Sequence, residues 1–145
     1  MRLGQLGEAE AARTLGEDTL QRCRRVLGPD HVTTLLAAAA LSLALVELGE
    51  TQPARSLGEG TLQRCQRAFG PDHPITLWAA TGLTVALDRL GEVEPAGALG
   101  EDTLQRCRRV LGPDHPITQY LVQVAVTDHP LLGDEAAGDD PSSPR

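Results

Sequence analysis

By type, the residues best equipped for chemistry are three cysteines, Cys23, Cys65 and Cys107, and three histidines, His31, His73 and His115. Both are soft-metal ligands, and the thiols could also run redox chemistry. Each set is spaced by the same 42 residues, and that regularity argues against both uses. Metal ligands must converge on one point, whereas a long equal spacing puts one copy on each of several equivalent elements. Cysteines at matching inward positions of separate helices stand farther apart than the ~7 Å Cα separation that a disulfide tolerates. They read as duplicated core residues. The histidines follow Asp30, Asp72 and Asp114 with no second ligand nearby and read as parts of a turn, while His129, beside Pro130, carries no assignment. The carboxylates Glu17, Asp18, Glu101 and Asp102 precede Gln21, Arg22, Gln105 and Arg106 by four residues, the spacing of pairs on a helix surface rather than of an acid and a base facing a substrate. The glycines of Leu6-Gly7-Glu8, Leu48-Gly49-Glu50 and Leu90-Gly91-Glu92 follow no strand, so no phosphate-cradling loop is encoded. These patterns predict a protein that is not an enzyme, with no catalytic residues, no metal and no cofactor.

Composition sets the scale. The chain has 145 residues, 41% hydrophobic and 23% charged, enough for one small folded unit. Twenty acidic residues against thirteen basic ones, all of them Arg, give a formal net charge of -7. A broad cationic surface for nucleic acid or anionic lipid is excluded on that balance. An odd number of cysteines and a start, Met1-Arg2-Leu3-Gly4-Gln5, that opens no apolar export segment predict a cytoplasmic location.

The elements that carry these residues are dictated by repetition. Leu15 to His31 and Leu99 to His115 are identical, and the copy from Leu57 to His73 differs at Gly60, Gln66, Ala68 and Phe69 alone. Within a copy, Ala54, Gly58, Thr61, Leu62, Cys65 and Phe69 recur at intervals of three and four, which predicts a helix over 51–69. Pro53 is tolerated in its first turn, and Gly70-Pro71 stops it after Arg64 and Arg67. Asp72 is the expected cap of the next helix, with Pro74 in its first turn and apolar positions running from Ile75 to Leu90. No alternating pattern of a strand competes. A helical hairpin with small residues at its crossing cannot hide its apolar face alone and must stack on its neighbours. The fold class is therefore all-α, an α-solenoid of stacked antiparallel helix pairs with about six helices.

On the residues Gly70-Pro71-Asp72-His73-Pro74, Leu90-Gly91 and Ala96, the chain resembles tetratricopeptide repeats, specifically the long-period variety of kinesin light chain and of many bacterial regulators. It departs from them at Gly16, Gly58 and Gly100, commonly larger, and at Thr19, Thr61 and Thr103, commonly Ala; interior glycines weaken a helix by about 1 kcal/mol each. Residues 1–127 form the expected repeat domain, with a partial unit 1–29, full units 30–71 and 72–113, and a partial unit 114–127. The remainder, 128–145, is acidic and rich in Pro, Ser and Gly and reads as a disordered tail. The chain thus begins with a second helix lacking its partner, and no polar capping element is visible at either end.

The resemblance implies that the first helix of each unit lines a concave, ligand-binding surface. Read by the period, its outward positions are Leu36, Trp78 and Tyr120 in one row, Ala39, Thr81 and Gln123 in a second, and Leu43, Val85 and Thr127 in a third. Relatives often carry paired Asn there to hold a ligand backbone; this chain has Ala39-Ala40 and Thr81-Gly82, which implies apolar contact anchored on Trp78 instead. The stretch from Val32 to Val46 has no charged residue, calling for cover on all sides, yet is too short and too rich in Ala, Ser and Thr to span a membrane. The expected function is a non-enzymatic module binding a peptide or another subunit. The alternatives are a self-associating fragment of a longer regulator, forming homo-oligomers by end stacking with no ligand of its own, and a detached sensor segment.

Overall fold

In the computed structural model of the chain, residues 3–128 are described, with side chains over 7–124. Six helices follow one another: α1 (Leu3–Val26), α2 (Val32–Glu47), α3 (Thr51–Phe69), α4 (Pro74–Arg89), α5 (Val93–Val110) and α6 (Pro116–Asp128). The described residues contain no strand. The expected 128–145 tail lies outside the described residues except for Asp128, which closes α6.

Two kinds of turn alternate. After α2 and α4 the chain reverses through Gly49 and Gly91, whose φ angles of 81° and 80° suit only a residue without Cβ. The Glu50 and Glu92 amides then reach back to the carbonyls of Leu45 and Leu87, and the Gly49 and Gly91 amides to those of Val46 and Asp88, satisfying the last turn of each helix. Gly7, the first member of this glycine series, behaves differently: it lies inside α1, which runs unbroken through Leu6-Gly7-Glu8.

At the other kind of turn the expected cap is corrected. The residue capping α4 is His73 and not Asp72: its Nδ1 accepts the Ile75 amide at 3.2 Å. His31 and His115 do the same for Thr33 and Ile117 at 3.1 Å each. An imidazole acceptor two residues before the bonded amide reaches the N-terminus as an Asx side chain would, and it releases Asp72 for another task. Thr34 and Thr76 lock the same turns by donating their hydroxyls to the carbonyls of Gly28 and Gly70, both at 2.8 Å.

Each helix packs on the next in sequence, and in addition α2 packs on α4 and α4 on α6. The helices α1, α3 and α5 make no such contact among themselves. Helices that touch sit about 8–10 Å apart, so α2, α4 and α6 occupy the shorter arc and α1, α3 and α5 the longer one. The solenoid is therefore curved, with α2, α4 and α6 on its concave side.

Small residues bring the layers together. Ala54, Cys65, Ala96 and Cys107 are almost wholly buried, and a Cβ on Gly58 would stand 3.3 Å from Leu83 Cδ1. These glycines thus trade helix stability for close crossing, which accounts for the family departure seen in the sequence. Across the wider outer layer, arginines take the place of apolar contact. Arg13 of α1 meets Glu50 at the start of α3 at 2.9 Å, and Arg55 of α3 meets Glu92 at the start of α5 at 2.6 Å. In the reverse direction Arg64 reaches Asp30 at 3.0 Å, and Arg106 and Arg109 reach Asp72 at 2.7 and 3.1 Å. Each outer seam is thereby clasped at both ends, and Glu50 and Glu92 also lie favourably against helix N-termini.

Candidate interaction groove

The concave row is carried by the first turns of α2, α4 and α6. Pro74 and Pro116 occupy the opening positions of α4 and α6, where a missing amide costs nothing and the fixed φ favours the helix. Four residues on, Trp78 and Tyr120 project from the same helix face, with ring centroids 6.2 Å apart and planes tilted by 54°, inside the range of favourable aromatic pairs. Leu36 of α2 extends the row. Together with Ile75 and Ile117 these residues line an open cleft of about 520 Å³ whose walls are almost entirely carbon. No carboxylate, imidazole or thiol lines it, so the cleft offers binding by apolar and aromatic contact rather than acid–base or nucleophilic chemistry.

The expected rows separate on this geometry. Leu36 and Tyr120 are exposed and Trp78 is half-buried, so this row is open to a ligand. Gln123 is exposed and Leu43 half-buried. Ala39, Thr81 and Val85, by contrast, are buried at 3%, 0% and 3% exposure and are withdrawn from the groove. The physical reason is the inner-layer contact itself: a helix of this layer has neighbours on both flanks, so only a narrow strip of it faces outward. The uncharged α2 is accounted for by the same packing, since Thr34, Leu35, Ala38, Ala39, Leu41, Ser42, Leu45 and Val46 are all buried. The buried hydroxyls are satisfied one turn back, Ser42 on the Ala38 carbonyl and Thr81 on that of Leu77. Pro74, Pro116 and Ile117 were missed by reading columns across units. The helix-face rule applied three and four residues before Trp78 and Tyr120 would have found them.

The other residues of chemical interest are structural. Cys65 and Cys107 are buried and Cys23 half-buried, and all three are free thiols. Burial pushes the Cys65 thiol up to about 11 and raises that of Cys107 too, which suppresses the reactive thiolate. Hydrogen bonding and charge from Arg106, with the charge of Arg109, hold the Asp72 carboxyl below its ordinary value. Among the described residues no group of three His, Cys, Asp or Glu side chains could hold a metal ion, and no helix is long and apolar enough to cross a membrane.

A curved stack of antiparallel helix pairs with an apolar inner row defines a helical-repeat scaffold. Two family models, both described as tetratricopeptide repeat, match residues 3–60 and 76–117, and the chain belongs to that family. A comparison with the curated proteins finds no match. Repeats of this family serve generally as protein–protein interaction modules.

Proposed function

We propose that the chain binds a peptide or a segment of another protein through the cleft of Leu36, Trp78 and Tyr120, with no chemical step of its own. The observation that carries this reading is the open aromatic pair Trp78–Tyr120 walled by Pro74, Pro116 and Ile117. Covering such a carbon-lined concavity takes apolar surface out of water, and a rigid aromatic anchor costs little entropy to use. The ligand this cleft suits presents a bulky apolar side chain to the aromatic pair. It is not held by side-chain amides at Ala39 and Thr81, which are buried. The 42-residue period supports kinship with the kinesin-light-chain variety of the family, and the carbon-lined walls of the cleft suit a binding scaffold.

Trp78 is the single tryptophan of the chain, so its emission reports on the site directly. Peptides selected against the folded protein are expected to be apolar, to shift Trp78 emission to the blue, and to lose at least tenfold in affinity with Tyr120→Ala or Leu36→Asp, each exposed enough to leave folding intact. Selected peptides that bind the Leu36→Asp and Tyr120→Ala proteins as well as the native one would place recognition elsewhere.

A further inference from the structure

Between the two clasps of the α1–α3 seam the outer layer holds a cavity of about 240 Å³. Arg13–Glu50 closes one end of the seam and Arg64–Asp30 the other. Because α1 and α3 make no packing contact of their own, the space between them is bounded from below by α2. Its floor is carbon: Leu20 and Leu35 are 3% and 1% exposed, and Leu57 is half-buried. Its mouth is basic, since exposed Arg24 of α1 and half-buried Arg64 of α3 both line it beside exposed Gly60. No carboxylate is among the lining residues.

Departures from the repeat set this seam apart. Position 60 is Gly where 18 and 102 are Asp, and position 66 is Gln where 24 and 108 are Arg. In the α3–α5 seam Asp102 accepts the Nε of Arg106 at 3.0 Å, while Nη1 of the same arginine reaches Asp72 at 2.7 Å. In the α1–α3 seam Gly60 leaves Arg64 with no carboxylate one turn back. Nothing stands within 4 Å of a Cβ placed there, and Arg64 reaches Asp30 through Nη1 at 3.0 Å. Arg24 forms no ion pair or hydrogen bond with a described residue, and the α3–α5 seam has neutral Gln66 in its place. Two guanidinium groups against the single carboxylate of Asp30 leave one positive charge above a carbon floor.

We propose that this cavity binds a small organic monocarboxylate, its apolar body on Leu20, Leu35 and Leu57 and its carboxylate between Arg24 and Arg64. Charge selects the head group: one net positive charge suits a monoanion, and a guanidinium fork matches the two oxygens of a carboxylate. Volume selects the body. A carbon-lined cavity of about 150 Å³ takes up benzene, so this one has room for roughly five or six carbons and the head group, and it is smaller than the pockets that hold drug-sized ligands. The bound acid bridges α1 and α3 across a seam clasped by ion pairs, so it stabilises the stack. This inference is independent of the peptide-binding reading, since none of the residues that line the aromatic cleft takes part.

The test is calorimetric titration of the full chain with hexanoate, and with hexanamide, acetate and inorganic phosphate for comparison. Hexanoate should saturate one site with a Kd of about 1 mM, raise the thermal midpoint and bind more weakly as salt is added. Gly60→Asp and, separately, Arg24→Gln should each lower that affinity at least about tenfold with unchanged helicity, since the repeat itself carries Asp at 18 and 102 and Gln at 66. Hexanamide, acetate and phosphate should each bind at least about tenfold more weakly than hexanoate. A native chain that shows no saturable uptake of hexanoate overturns the proposal. Equal binding of hexanamide overturns it by making the arginines bystanders, and equal binding of acetate or phosphate does so by making the carbon floor one. Full hexanoate affinity in either Gly60→Asp or Arg24→Gln overturns it by placing the acid elsewhere, and affinity lost with Tyr120→Ala but kept with Gly60→Asp moves the acid to the aromatic cleft.

Discussion

Trp78 and Tyr120 lie 42 residues apart in sequence and 6.2 Å apart between ring centroids. The pairing exists because α4 and α6 touch in the inner layer, so a residue type repeated at one period is delivered to its own copy in space. Tyr120 is 38% exposed, and the loss of its ring from the pair should cost the fold about 1 kcal/mol, the worth of an aromatic pair at a surface. Tyr120→Ala is therefore expected to change Trp78 emission in the free protein while the thermal midpoint moves by only a few degrees. A midpoint collapse would make the pair a core element.

Two glycines of α3 should respond oppositely to the same substitution. Gly60 faces open space, with nothing within 4 Å of an added Cβ, so Gly60→Ala is expected to stabilise the protein by about 0.5–1 kcal/mol through helix propensity. At Gly58 the new methyl would meet Leu83 at 3.3, 3.5 and 3.6 Å, the last of these the backbone Cα. Gly58→Ala should be neutral or destabilising despite the same propensity gain. Denaturant midpoints of the two variants measure the contrast.

The Asp72 clasp predicts a sign for acid. The folded state holds this carboxyl below its ordinary value, so its contribution is present above the normal carboxyl range near pH 4 and is lost as pH falls through the lowered folded value. Asp72→Asn should thus lower the melting midpoint at pH 7, and the gap to the native protein should close in strong acid. Added salt should shrink the gap at pH 7 as well, because the pair is exposed.

Thiol reactivity should divide the three cysteines. Cys65 is buried, with its thiol pushed up to about 11, and Cys107 is equally buried, whereas Cys23 is half open. A thiol reagent at mildly alkaline pH is expected to modify Cys23 quickly and the other two only as the protein unfolds. Because the fold favours the neutral Cys65 thiol, the stability it carries is intact below about pH 9 and declines as pH rises towards 11.

Repetition made most of the architecture legible. Identical copies force equivalent elements, and apolar spacing of three and four within a copy admits only helix, so α3 could be drawn to its end residues before any contact was known. The inward place of Cys65 and Cys107 followed from the same logic, as did the shared row of Trp78 and Tyr120, whereas Cys23 is half open. A capping role for His73 did not, because Asp72 and His73 are both plausible caps by type and only backbone direction decides which side chain reaches the Ile75 amide.

What the sequence by itself determined is the helix count, the turns that punctuate the chain and the stacking of one hairpin on the next, since each is set by periodicity and by residues close along the backbone. The tertiary structure alone decided which faces were left over. Ala39, Thr81 and Val85 look like groove residues in any column of aligned copies, yet curvature puts α2, α4 and α6 in contact and buries them. The arginines that reach 34 and 37 residues along the chain do so for the same reason: the outer helices stand too far apart to touch, and long charged side chains are what can cross the gap.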